Sequence, residues 1–329
     1  MTALAAFMHE LIDYAGLFPP AKLPMDRVVA NYARLRAAGH ADKLGRLICP
    51  AQRLAEMGDL ANDLIVAADV GQPWRISALG RGADNADEFL AHLSEDLEAV
   101  VACRKRFGAR VVVDVFECPL PRGLLEDGDQ VAAKRLAQAA AQRIADDGPD
   151  PLVPFYEVAF VGHWREHLPQ VIAGLGEANA ALSAARVAGG CGVKLRTGGV
   201  RADLFPSVDE VTLVLRECLT RHLPFKATAG LHHPVRHFAE SVNTKMHGFL
   251  NVFGAAVLAH AHDLDASTIA CIVEDEAAEH FAFESEVFRW QDFSARAVDI
   301  ARARQDYARG YGSCSFDEPI EDLKQLGML

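Results

Sequence analysis

At 329 residues, with half of its side chains apolar, the chain can bury a large core, and its length allows one large α/β domain or two smaller ones. A formal net charge of −12 and a pI near 5.5 argue against a general nucleic-acid or anionic-membrane surface. No apolar run reaches the roughly 18–20 residues of a membrane span.

The opening MTALAAFMHELIDYAG lacks a basic start and contains His9, Glu10 and Asp13, so it reads as an amphipathic helix rather than a signal peptide. Tyr14–Phe18, closed by Pro19 and Pro20, is expected to be a first strand, with Tyr14, Gly16 and Pro19 shaping the loop after it. Pro24 opens a helix carrying Val28, Val29, Tyr32 and Leu35 at helical spacing, stopped by Gly39. Leu44–Cys49 is a second strand, followed by helical stretches at Ala51–Met57 and Leu60–Val66. Strand Trp74–Leu79 and the long amphipathic helix Asp87–Phe107 come next. Val111–Phe116 (VVVDVF) is a strand leading to Glu117 and a proline-bearing loop, and Val131–Asp146 is an alanine-rich packing helix.

Leu152–Val161 is a strand centred on Glu157, and helix Leu168–Ala185 leads to strand Cys191–Thr197. Helix Val208–Leu223 leads to strand Pro224–Ala229. From Val242 onward Met246, Phe249, Leu250, Phe253 and Val257 predict a helix, Ser267–Glu276 a second one, and Phe281–Trp290 a last strand. Strands alternating with helices imply parallel crossover units, and the count of about eight fits a (β/α)8 TIM-type barrel with an N-terminal helix and a C-terminal extension. No Pro/Ser/Gly-rich linker divides the chain, so residues 1–329 are expected to form one domain. An open doubly wound sheet is the alternative, weakened because no glycine fingerprint follows an early strand. Seven scattered cysteines without a CxxC pair fit reduced thiols in a cytoplasmic protein.

Two strands carry the chemistry. In CGVKLRT one parity holds Val193 and Leu195, the other Lys194 and Arg196. In PFKATA one parity holds Phe225 and Ala227, the other Lys226 and Thr228. A lysine halfway along an apolar strand is costly unless solvated, paired or used. The same parity argument sends Val111, Val113, Val115, Tyr156, Val158 and Phe160 outward to the helices and turns Asp114 and Glu157 inward. Adjacent strands lie about 4.8 Å apart, so Lys194 and Lys226 are expected to aim into one mouth, each able to depress the other's pKa. A neutral lysine there would attack a carbonyl carbon and form an iminium, with Asp114 and Glu157 moving protons and Arg196 holding a carboxylate or phosphate.

The runs Val193–Gly198 (VKLRTG) and Phe225–Gly230 (FKATAG) resemble the paired lysine strands of deoxyribose-phosphate aldolase and related class I aldolases. That resemblance implies Lys194 as the Schiff-base lysine, Lys226 as the lysine that lowers its pKa, and Asp114 as the aspartate aiding proton transfer. Arg196 stands where that family has a small hydroxyl residue, the histidine-rich LHHPVRH follows the second lysine strand, and no clear glycine/serine phosphate loop marks an eighth strand. Over its full length the chain also resembles an uncharacterised bacterial protein family, through DYAGLFPPA, KLRTGG, PFKATAGLHHP and GSCSFDEP.

Plainer readings accompany each of these residues. The two lysines, Asp114 and Glu157 would also satisfy one another as a structural ion-pair network. Gly198, Gly199 and Gly230 end strands as turn punctuation, or bind an anionic substrate through backbone amides, with Thr197 and Thr228 beside them as further substrate-binding candidates. His232 and His233 are candidates for substrate hydrogen bonding. If Pro234 starts a helix, His233 and His237 share a face as metal ligands can, with Glu240 and His247 near. His260 and His262 read as a helix end, and Ser313-Cys314-Ser315 as a packed C-terminal segment without an assignable base.

The leading expectation is therefore an aldolase- or lyase-like enzyme needing no cofactor and acting on a small, anionic carbonyl substrate. The rivals are a divalent-metal-dependent isomerase or hydrolase using the His232–His247 region, and a non-catalytic binder of anionic metabolites. No nucleic-acid or membrane partner is expected, and a homo-oligomer stays open.

Overall fold

The computed structural model describes residues 1–146, 152–185 and 190–329. Eight parallel strands close into a barrel: β1 (Ile12–Tyr14), β2 (Leu44–Pro50), β3 (Trp74–Leu79), β4 (Val111–Pro119), β5 (Val153–Val158), β6 (Gly192–Arg196), β7 (Phe225–Thr228) and β8 (Ala308–Ser313). Each pairs with its sequence neighbour, and β8 closes the ring between β7 and β1. The (β/α)8 expectation holds.

The crossover helices form for local reasons. Asn85 caps helix Ala86–Phe107 by accepting from the Glu88 N–H, and Phe89, Leu93, Leu97 and Val100 give it one buried face. Ser207 and Glu210 form a reciprocal capping box at the start of helix Val208–Thr220, whose Val211, Val214, Leu215 and Cys218 are buried. Helix Phe249–His262 is apolar around most of its circumference and is almost wholly buried. Its Phe253 stacks on Phe225 of β7 at 5.5 Å and lies 5.7 Å from Tyr311 of β8, so it plugs the outside of the barrel's last seam.

Several expectations shift. The first strand lies at Ile12–Tyr14 rather than Tyr14–Phe18, and the N-terminal helix is confined to Ala3–Met8. Ala51–Met57 and Leu60–Val66 belong largely to one helix, Leu54–Ala67, preceded by a 3-10 turn. His237–Ala239 and Thr244–Met246 pair as a hairpin, so the helix expected from Val242 begins only after Gly248.

Phe281–Trp290 is not the eighth barrel strand. Phe281–Phe283, Val287–Trp290 and Phe293–Arg296 form a separate antiparallel sheet, whose Phe283 and Phe288 pack on Phe7 of the N-terminal helix. The true β8, ARGYGS, has too few apolar residues to declare itself. Its Gly310 passes so close to β1 that a Cβ there would lie 2.8 Å from the Leu11 carbonyl oxygen.

All seven cysteines are free thiols, six of them buried. Among the described residues no helix is long and apolar enough to cross a membrane.

Candidate active site

The interior of the barrel is organised by an irregularity in β4. Ile76 of β3 pairs with Val113, yet its neighbour Ser77 pairs with Val115, so Asp114 is an extra residue without an opposite number. The bulge resets the parity of everything beyond it. Glu117 turns into the barrel, and Val115, two residues before it, shares that face instead of pointing outward as expected.

Lys194 and Lys226 are direct cross-strand partners, only 4% and 2% exposed. Glu117 bridges them, with Oε2 at 2.9 Å from Lys194 Nζ and Oε1 at 3.0 Å from Lys226 Nζ. Ser77 Oγ donates to Glu117 Oε1 at 2.7 Å, whereas Oε2 has only the ion-pair contact and no aligned donor. Glu157 of β5 is the second partner of Lys194, at 3.0 Å. Asp13 of β1 is the second partner of Lys226 and holds its other oxygen on the Arg46 N–H at 2.5 Å. Beneath, Lys226 Nζ sits 5.8 Å from the centre of the Phe155 ring.

This geometry reverses the expected electrostatics. Burial would lower the Lys194 pKa, but Glu117 and Glu157 outweigh it and hold the pKa above the ordinary lysine value. Burial would likewise raise Glu117, and the two ammonium groups instead hold it far below the usual carboxylate range. Glu157 is lowered in the same way, its burial offset by Lys194 and Arg196. The resting site is a charged network in which the lysine pair does not lower the Lys194 pKa.

Lys194 forms part of the wall of a cavity of about 350 Å³ at the carboxyl ends of the strands. Glu157, Arg196, Thr228 and His232 share this wall with the apolar Phe18, Ile48, Leu79 and Leu204. Lys226 lies one layer deeper and does not line the cavity. Arg196 binds Glu157 Oε1 through Nε and Nη2, each at 3.0 Å, while its side chain stays 46% exposed. His232 reaches Glu318 of the C-terminal helix at 3.1 Å, and burial lowers its pKa. A neighbouring cavity of about 460 Å³ shares Pro119 and Glu157 with the first.

The expected loop residues fall around the rim. Ala15, Phe18 and Pro19 after β1 line the cavity, as does Gly199. Gly198 and Gly230 serve a close approach of two strand ends: a Cβ on Gly198 would lie 2.8 Å from the Gly230 Cα, and Gly230 itself has φ +77°. Thr197 is buried, its hydroxyl donating to the Thr228 carbonyl at 3.1 Å, so it locks the same junction. Cys314 also reaches the cavity, but burial raises its thiol pKa, and Ser315 serves the start of the last helix by accepting from the Glu318 N–H.

Other candidates are placed elsewhere. Asp114 faces inward at the opposite, amino end, bonded to Arg46 (2.6 Å) and Arg75 (2.8 Å) rather than to either lysine. His233 hydrogen-bonds Asp322 at 2.6 Å and is not part of the cavity wall. No helix starts at Pro234; the His233 and His237 rings meet edge to face at 4.6 Å, and His237 Nδ1 contacts the Val235 carbonyl. His247 is buried against the Pro206 carbonyl, with its pKa pushed down to about 4 chiefly by burial. Among the described residues no group of three or more His, Cys, Asp and Glu is arranged to hold a metal ion.

Sequence reasoning missed Glu117, Asp13 and Ser77. The signal for Glu117 was its charge directly after the apolar run VVVDVF. The parallel barrel is an architecture that carries many enzymes. No family model and no curated protein matches the chain.

Proposed function

We propose that the protein is an enzyme acting on a small anionic carbonyl compound through a Schiff base on Lys194. One observation carries the reading: the Lys194 amine stands in the wall of the mouth cavity with Glu157, a carboxylate that borders the same space, 3.0 Å away.

Because Lys194 rests as an ammonium, the first step is a proton transfer to Glu157. The amine lone pair then forms the C–N bond, and the carbonyl π pair moves to oxygen, which takes the proton from Glu157. Glu157 accepts a second proton from the nitrogen and returns it as the hydroxyl leaves as water. Two protons thus leave Lys194 with the carbonyl oxygen, and the third stays on the iminium. Glu117 remains ionised, anchoring Lys226 and balancing the iminium charge. Arg196 orients the substrate carboxylate or phosphate, and its binding weakens the Arg196 hold on Glu157, making that carboxylate a better base. The iminium withdraws electrons from the adjacent carbon–carbon or carbon–hydrogen bond, the chemistry of a lyase or aldolase.

Reduction with borohydride in the presence of a panel of aldehydes and 2-oxo acids tests the reading by intact mass. A stoichiometric adduct with a panel member, lost in Lys194→Arg, is expected; no adduct across the panel contradicts it.

A second reading rests on the same network. The carboxylates that hold Lys194 protonated suit a protein that binds an anionic metabolite by charge alone. In that case Lys194→Arg keeps ligand affinity, and no reducible adduct forms.

A further inference from the structure

The amino end of the barrel holds a second cavity, of about 320 Å³, lined by Arg46, Arg75, Arg304 and Arg309 together with His9 and Glu10. Arg46 and Arg75 share Asp114, and Arg75 also pairs with Glu10. The other two arginines have no carboxylate partner among the described residues. Arg304, 8% exposed, spends its donors on the backbone carbonyls of Phe7, His9 and Ala308. Arg309 donates to the Gln305 carbonyl.

The charge count is uneven. Four guanidinium groups meet Glu10, Asp114 and the exposed Asp306, the last acting on Arg309, while Asp13, which also acts on Arg46 and Arg304, is already paired with Lys226. Burial, aided by Arg309, lowers the Arg304 pKa to about 9. Arg309 keeps solvent contact, yet desolvation and the charge of Arg46 hold its pKa below the ordinary value. A buried guanidinium satisfied only by neutral carbonyls lacks its counter-ion. In a chain carrying a net charge of −12, two guanidinium groups without a carboxylate partner among the described residues stand together at this cavity.

We propose that this amino-end cavity binds a small oligoanion bearing phosphate or diphosphate groups, with Arg309 and Arg304 as its principal charge partners and Arg46 and Arg75 completing the cradle. Guanidinium groups favour phosphate oxygens, and the N–H groups that these four arginines keep beyond their internal bonds, with Arg309 the least committed, suit two or more negative charges. Glu10 competes for Arg75, so it weakens the site. The site is separate from the mouth cavity and does not depend on the Schiff-base reading. Arg46 nevertheless joins the two ends, since its backbone N–H holds the Asp13 that partners Lys226.

Calorimetric titration of the full chain with inorganic pyrophosphate at low ionic strength is the test. One equivalent is expected to bind at this end, with Arg309→Gln weakening it at least tenfold and Glu10→Gln tightening it several-fold; any further equivalent held at the mouth is the one that Arg196→Gln removes. Circular dichroism of each variant establishes that it is folded. Absence of stoichiometric binding by the wild-type chain at millimolar pyrophosphate overturns the proposal. So does binding that survives Arg309→Gln unchanged or is abolished by Arg196→Gln.

Discussion

The two ends of the barrel treat charge differently. At the carboxyl end Lys194, Lys226 and Arg196 face Asp13, Glu117 and Glu157, so three cations meet three carboxylates within a connected network. At the amino end Arg304 and Arg309 face backbone carbonyls instead. The mouth is electrically balanced at rest, so the proposed carbonyl chemistry there has to begin with a proton moving within the network. The base leaves two guanidinium groups without a carboxylate partner among the described residues, which is the ground for the anion site proposed there.

The sharpest way to break this contrast is Glu117→Gln, which leaves two buried ammonium groups sharing Asp13 and Glu157. Urea unfolding should show a loss of about 3–5 kcal/mol, the cost of stranding a buried charge. A smaller loss would mean that the network is wetter than its burial indicates. At the base, Asp114→Asn should cost about 1–3 kcal/mol: Arg75 is partly solvated and keeps Glu10, and the buried Arg46 loses its carboxylate but retains the amide oxygen as an acceptor.

Acid sharpens the same comparison. Glu117 and Asp114 are both held below the ordinary carboxylate range by cations that overcome their burial. A depressed folded pKa contributes stability that is complete above the unfolded value of about 4–4.5 and is lost as pH falls toward the folded one. Unfolding free energy should therefore fall steeply below about pH 4. The fall should be shallower in Glu117→Gln, as followed by urea titrations at several pH values. Arg196→Gln is the smallest effect on stability, within about 1 kcal/mol given the exposure of its side chain. It should still weaken binding of an anionic ligand at the mouth about tenfold, the worth of one charge-assisted hydrogen bond.

Much of the barrel was legible because β2 to β7 alternate apolar and polar residues or run apolar for several positions. The inward turn of Lys194, Lys226 and Glu157 followed from that period. Parity failed in β4, where the bulge at Asp114 shifts the inward face by one residue; a bulge leaves no mark in a run such as VVVDVFE. Asp13 was passed over because the first strand ends at Tyr14, placing the aspartate inside it. Gly310 and Gly312 in β8 spell a turn locally, and only the approach of the Leu11 carbonyl to the first and of Ile48 to the second explains them. His232 and His233 are adjacent in sequence, yet one reaches the cavity wall and the other packs on Asp322, a division that only the last helix decides.

The account depends on Lys194, and not Lys226, being the amine that meets a carbonyl, since only Lys194 borders the mouth cavity while Lys226 lies beneath it on Asp13, Glu117 and Phe155. Peptide mapping by mass spectrometry of the borohydride-reduced adduct decides between them. The modification is predicted on Lys194, retained in Lys226→Arg even if slower to form. A modification found on Lys226, or spread over surface lysines and undiminished in Lys194→Arg, would contradict the account.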